Sequence, residues 1–440
     1  KANYEGGYRI NILIFAYIKK IKMDFLHSEI GSAKDNFYSP VHNWYKFTAG
    51  FSYKFVEAIL EGEKNSQNIV FEPFAGCGTT LVSSQKCGVK AIGNEGQEFM
   101  LDIIKAKLYW NIDKTECINS LNYIDSYIKE HLTNFSMEEV HPLLSTLYDN
   151  ETLKVLYLTR DSLDHISNDK IRLFLKLALS QTMHKVGLYP IAVPYISRTK
   201  RMANSGHAFA RFQSIVLQML EDIGPLQNIE QTSEIYLHDS RFENPNIGDS
   251  ICNYCITSPP YLNNLDYGEV SKVHTHFFGL TENWNDITQK VRKNLVTGAT
   301  THYRDIDFDI NIFKENDFSK ENQLVFDELF TSYIQIMEIA KTRNGKKSFN
   351  ILMMHYFEDM YYVLKEMRRV LKKGSKAYLI LGDSAPYGIY IPTTELLGRI
   401  AYSVGFNKYH IYKIRTRGTK WKSLKYRHNI ELSENVLVLE

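Results

Sequence analysis

The chain has 440 residues, 44% hydrophobic and 23% charged, the proportions of a globular protein whose core is large enough to need no disulfide or metal staple. Its net charge is only +2, so any nucleic-acid surface must come from local clustering. The five cysteines (Cys77, Cys87, Cys117, Cys252 and Cys255) are odd in number and scattered, which argues against a secreted disulfide framework and fits a reducing cytoplasm.

Near the start, "INILIFAYI" (10–18) is too short to span a membrane, and no small-residue cleavage site follows it. Met23 opens a more ordinary sequence, so residues 1–22 are set apart and 1–40 is read as an N-terminal arm. The first strand is expected in "NIVFEP" (68–73), apolar and ended by a turn. "FEPFAGCGTT" (71–80) then leads into a helix. Gly76 and Gly78 permit a tight turn and let a ligand approach bare backbone, and Thr79 or Thr80 is the expected helix cap. A second strand, "VKAIGNE" (89–95), ends on Glu95, nineteen residues after Gly76, where a carboxylate can accept both hydroxyls of a ribose. Leu81 stands where a dinucleotide fingerprint needs its third glycine, and no Gly-Lys-Thr/Ser follows to make a P-loop. An adenosine ligand without phosphates fits this turn; a plain strand-to-helix connection explains the glycines equally well.

Residues 101–230 read as a mostly helical insertion, with dense apolar periodicity in 170–186 and 212–223. It includes "SRTKRMANSGHAFARF", a basic loop with Arg198, Lys200, Arg201 and Arg211. Next come "EIYLHD" (234–239) and "YCITS" (254–258), read as a close pair of strands. Asp239 is placed to accept from an adenine amino group, or is a solvated strand end. Cys252 and Cys255 form a lone C-x-x-C without the second pair a zinc site wants, so they are read as thiols packed around a buried strand. "ITSPPYLNNLDY" (256–267) puts two prolines at that strand's end, where neither can continue a central ladder. The second insertion, 262–345, is more polar and carries the basic run "QKVRKNLVTGATTHYR" (289–304). Neither insertion is short enough to be a bare loop.

"SKAYLILGDS" (375–384) is a further strand, whose Asp383 either faces the site or makes a strand-end turn. "KYHIYKI" (408–414) and "ENVLVLE" (434–440) read as a terminal hairpin. The stretch 408–427 holds eight cations and no acid, among them Arg415, Arg417, Lys420 and Lys422, interleaved with Tyr409, Tyr412, Trp421 and Tyr426. Cations for phosphates and rings for stacking suit nucleic acid; a solvated hairpin is the plain alternative. His355 and the other histidines share no ligand spacing and are read as packing or surface groups. The fold class is α/β, with buried strands separated by helices arguing for a mostly parallel sheet covered on both faces.

At "FEPFAGCGTT" and "TSPPY" the chain resembles the S-adenosylmethionine-dependent amino-methyltransferases of DNA. The leading serine is the form typical of the cytosine-N4 branch. Weaker likeness extends to "VHNWYKFTAGFSYKFVEAIL" (41–60), "VLKKGSKAYLILGDS" (370–384) and "YRHNIELSENVLVLE" (426–440). The resemblance implies a Rossmann-like methyltransferase fold: a mostly parallel seven-stranded sheet with an antiparallel C-terminal hairpin, plus helical insertions. The catalytic domain would be 41–100, 231–261 and 346–440. The insertion 101–230 would be a DNA-contacting cap, and 262–345 a target-recognition region.

S-adenosylmethionine is the implied cofactor, held by Phe51, Ser52, Phe74, Gly76, Gly78, Thr79, Glu95, Asp239 and Thr257. Ser258, Pro259, Pro260 and Tyr261 are the implied catalytic tetrapeptide, with no metal and no cysteine nucleophile. Ser258 Oγ and the Pro259 carbonyl would accept from the exocyclic amine, and Tyr261 would stack on a flipped base. Arg198, Lys200, Arg201, Arg415, Arg417, Lys420 and Lys422 are the candidate DNA contacts. Expected partners are double-stranded DNA and a separately encoded cognate restriction endonuclease, with no membrane, in the prokaryotic cytoplasm near the nucleoid. The alternatives are an adenine-N6 enzyme, an RNA base methyltransferase, and an inert nucleic-acid-binding module. Three departures from the family pattern stand out: Glu72 where Asp is usual, Gly96 where a bulkier residue is commoner, and the insertion of about 130 residues before Asp239.

Overall fold

Short apolar runs stopped by turn residues form the strands. The computed structural model of the chain describes residues 33–47, 49–63, 67–189, 207–230, 232–303, 308–343, 348–417 and 430–440. Among these, β1 (Ile69–Glu72), β2 (Lys90–Glu95), β3 (Glu234–Leu237), β4 (Cys252–Thr257), β5 (Leu371–Gly382), β6 (Tyr409–Arg417) and β7 (Leu432–Leu439) form one seven-stranded sheet of order β3-β2-β1-β4-β5-β7-β6. Every pairing from β3 to β5 is parallel, and β7 runs antiparallel to both β5 and β6. The mixed α/β class, the parallel body and the terminal hairpin agree with the sequence expectation.

Period-two side-chain alternation divides the core into two layers. Val70, Ala91, Ile380, Val436 and Val438 face one layer, while Phe71, Ile92, Leu379, Leu437 and Leu439 face the other. The first layer is covered by α1 (Tyr53–Ile59), α2 (Thr79–Lys86), α3 (Glu98–Leu108) and the helices of the first insertion. Those are α4 (Lys114–His131), α5 (Asn150–Leu163), α6 (Asp169–Val186) and α7 (Ala208–Ile223). The second is covered by α8 (Gln323–Lys341), α9 (Phe349–Val370) and α10 (Thr393–Ser403). Cys252 and Cys255 are fully buried on β4.

One expectation is corrected. β3 and β4 are not neighbours, because β2 and β1 lie between them. Parallel strands cannot be joined by a tight turn. The connection 238–251 instead returns beside α9, where Asn244 N donates to Glu366 at 3.1 Å and Arg369 Nη1 to the Ile247 carbonyl at 2.8 Å. Within the expected arm, residues 33–40 belong to the fold: Asn36 donates to the Phe51 carbonyl at 2.8 Å and accepts from Tyr53 N at 2.9 Å. The apolar stretch 10–18 lies outside the described residues.

Asp383 resolves as a structural group. Its carboxylate accepts from Thr394 N at 3.3 Å, Tyr390 Oη at 2.9 Å and Ser433 Oγ at 2.6 Å, fastening the end of β5 to α10 and β7. Asp383→Ala strands these donors and is expected to lower stability by about 2 kcal/mol in urea unfolding. An unchanged midpoint contradicts that role.

Candidate active site

The site grows from the ends of β1 and β4. The chain leaves β1 for β2 on one side and reaches β4 from the other, so the two strands flank the crevice where an open α/β sheet accepts ligands. After β1 the backbone turns through Gly76 (φ +57°) and Gly78 (φ +85°), left-handed values that suit glycine. A Cβ at Gly78 would also press against Ile104 of α3, at 3.3 Å. Glu95 closes the turn from β2, accepting from Gly76 N at 2.8 Å and Gln97 N at 2.9 Å. Burial raises its pKa to about 7, although those backbone bonds favour the charged form. Ser240 Oγ joins the loop after β3 to the turn by donating to the Pro73 carbonyl at 2.5 Å.

Thr79 and Thr80 do not cap α2. Gly78 is the cap residue, and both threonines are already helical. Thr80 Oγ1 instead reaches back to Glu72, at 2.6 Å, and Thr257 Oγ1 donates to the same carboxyl group from the end of β4. Phe74 N donates to it at 2.9 Å. Glu72 is 1% exposed and thereby ties β1, α2 and β4 together at one point. Burial raises its pKa to about 8, against the pull of these three bonds. A neutral Glu72 keeps the network satisfied, because Thr80 Oγ1 can donate to the Ile256 carbonyl at 3.0 Å while accepting from the acid.

Beyond β4, Ser258 Oγ lies 3.3 Å from the Ile380 carbonyl. Tyr261 donates its hydroxyl to Glu434 Oε1 at 3.0 Å, and the Arg417 guanidinium sits 4.9 Å from its ring centroid. Burial, with Glu434 alongside, holds the Tyr261 hydroxyl well above the usual phenol range. Gly382 leaves room for this stack, since a Cβ there would lie 2.9–3.0 Å from the ring and collide with Arg417. Arg415 pairs with Glu434 at 2.6 Å.

A cleft open to solvent on one side joins these parts. Phe51, Phe74, Gly76, Thr79, Glu95 and Asp239 of the expected cofactor set and Ser258 and Pro260 of the expected catalytic set line it. Ser52, Gly78, Thr257, Pro259 and Tyr261 do not; Ser52 caps α1, accepting from Lys54 N at 3.3 Å. Asp239 lies two residues past β3 and is held by Arg241, whose Nε and Nη2 reach its carboxylate at 3.0 and 2.6 Å. Arg415 and Arg417 are engaged with Glu434 and Tyr261. Arg198, Lys200, Arg201, Lys420 and Lys422 lie outside the described residues. His355 Nδ1 lies within hydrogen-bond reach of Glu358 Oε2, at 3.1 Å.

The sequence reading missed Phe47, Tyr267 and the segment Asn294, Leu295 and Val296, all on the cavity wall. Phe47 lies in the stretch 41–60 already singled out, and Asn294–Val296 in the basic run of the second insertion. The first insertion supports the Phe47–Phe51 wall from behind: Trp44 donates to Asp222 of α7 at 2.8 Å, and Gln181 of α6 to the Asn43 carbonyl at 3.0 Å.

The chain is similar to type II methyltransferases. M.BsoBI of Geobacillus stearothermophilus is 22% identical over 418 residues, covering 86% of this chain and 81% of that protein. M.AvaI of Nostoc sp. is 25% identical over 418 residues (87% and 82%), and M.MvaI of Kocuria varians 20% over 380 residues (78% and 75%). The part left out beside M.BsoBI is smaller than either insertion, so that matched span reaches into both. No family profile and no solved structure matches the chain.

The Glu72 environment predicts a pH effect. An acid with a folded pKa of about 8 and an unfolded value of about 4.3 contributes stability that is complete below the unfolded value. That contribution fades as pH rises through 8, by at most about 1.4 kcal/mol per unit. Glu95 acts in the same direction up to about 7. Glu72→Gln imitates the neutral acid, so its urea midpoint should fall less than the wild type's between pH 6 and 9. Equal slopes contradict a neutral Glu72.

Proposed function

We propose that the chain transfers a methyl group from S-adenosylmethionine to the exocyclic N4 of a cytosine in DNA, on a Rossmann-like methyltransferase fold. One observation carries this reading: Ser258 and Pro260 open onto the same cavity as the glycine turn and Glu95. The names of the relatives, type II methyltransferases, support the methyl-transfer part of this reading. The residues present also fit the cofactor. Gly76 offers backbone without a side chain, and Glu95 is an acceptor suited to ribose hydroxyls. Phe74 and Pro73 present apolar surface to a base.

When bound, S-adenosylmethionine supplies an electrophilic methyl group on a sulfonium. The chain's own task is to prepare the amine. A base amine is a poor nucleophile because its lone pair is delocalised into the ring. Ser258 Oγ and the Pro259 carbonyl accept its hydrogens and favour a pyramidal nitrogen, and two prolines keep these acceptors fixed. The base must leave the duplex to reach them. Tyr261, anchored by Glu434, offers the ring against which it stacks once Arg417 gives way. We assign sequence recognition to the two insertions, and phosphate contacts to the basic stretches 198–201 and 415–422. A separately encoded restriction endonuclease is the matching partner.

Mass spectrometry of nucleosides from DNA of cells expressing the chain should show N4-methylcytosine. N6-methyladenine alone contradicts the cytosine assignment. Ser258→Ala and Tyr261→Ala should each lose at least about a hundredfold in methyl transfer while still binding S-adenosylhomocysteine. Near-normal turnover in both removes their roles.

A further inference from the structure

Gly96 directly follows Glu95, and nothing in its backbone demands glycine, since its φ lies outside the left-handed range. Its neighbours do. A Cβ there would stand 2.5 Å from the Asn294 carbonyl oxygen and 2.8 Å from Leu295 Cδ2. The nearer atom is backbone, so a side chain at 96 would push the second insertion away from the sheet. Asn294 and Leu295 occupy the space such a side chain would fill, and with Val296 they line the cavity beside Glu95 and Asp239.

This segment is fastened at both ends by buried charge. Before it, Arg292 is 2% exposed and bonds Asp266 through Nε and Nη2 at 2.9 and 2.7 Å. After it, Thr297 donates through N and Oγ1 to Asp359 at 2.9 and 2.6 Å. Arg241 joins the two sides: it holds Asp239, reaches Asp359 at 3.2 Å and donates to the Lys293 carbonyl at 2.6 Å. Gln97 adds a tie to the start of the same insertion, donating to the Tyr267 carbonyl at 3.3 Å and accepting from Ser271 Oγ at 2.7 Å.

We propose that Leu295, with Asn294 and Val296, forms the base-side wall of the cofactor cavity in place of a side chain at residue 96, so that filling the cavity orders the second insertion. The inference rests on the cofactor reading above and deepens it. A nucleoside whose ribose meets Glu95 places its flat base against apolar atoms on this side, and Leu295 and Val296 supply them. The insertion assigned to target recognition is therefore a part of the cofactor site, and the two occupancies are linked.

The test uses the full chain and S-adenosylhomocysteine, read by calorimetry and by amide hydrogen exchange. Leu295→Ala should weaken binding about tenfold, through lost apolar contact, while the volume-conserving Leu295→Met stays close to wild type. Gly96→Val should weaken it further. Should that variant fold poorly, Leu295→Ala still decides. In the wild type the ligand should slow exchange at 292–297 more than in α5, which lies away from the cavity. Wild-type affinity in Leu295→Ala, or unchanged exchange at 292–297 on saturation, overturns the inference and leaves the cofactor reading standing. No binding by the folded wild type overturns both.

Discussion

Three elements converge on one buried carboxyl group. Glu72 ends β1, and the hydroxyls of Thr80 on α2 and Thr257 on β4 both close on it. The glycine turn and the Ser-Pro-Pro-Tyr stretch are 180 residues apart in the chain, and this contact fixes one against the other. A buried polar cluster of this kind is stabilising only when every member is satisfied. That requirement explains why Thr80 serves Glu72, with Gly78 at the cap position. Burial raises the pKa of Glu72 to about 8, which favours the neutral acid at the junction beside Glu95.

Around this junction the two insertions act as walls. The first holds the segment carrying Phe47 and Phe51 through Asp222 and Gln181. The second lays Asn294 and Leu295 across Gly96. The sheet supplies the turn, the acid and the serine, and the insertions enclose them. A largely apolar site of low local dielectric strengthens each hydrogen bond made within it. On the far side, Glu434 of β7 holds both Tyr261 and Arg415, so the basic hairpin reaches the tetrapeptide through this carboxylate as well as through Arg417 on the Tyr261 ring.

Much of this was legible in the sequence. Apolar runs cut off by Pro73, Glu95 or the two prolines gave strand positions, and Gly76, Glu95 and Ser258 fell on one cavity as their strand ends required. What escaped was tertiary. The separation of β3 from β4 depends on which strand edges β2 and β1 leave open, and no local pattern records that. Glu72 reads as a small variation until two hydroxyls from distant segments are found on it. Gly96 reads as a missing side chain until Leu295, about 200 residues later, is found in its place. Arg415 and Arg417 read as free cations because Glu434 and Tyr261 meet them only once the hairpin is closed.

The central claim is that the nucleoside end and the amine end of one reaction share a single cavity. A crystal structure with S-adenosylhomocysteine tests it most directly. The account predicts ribose hydroxyls within hydrogen-bond reach of Glu95 and the sulfur end facing Ser258 and Pro260. A ligand bound elsewhere, or one whose sulfur points away from Ser258, contradicts it.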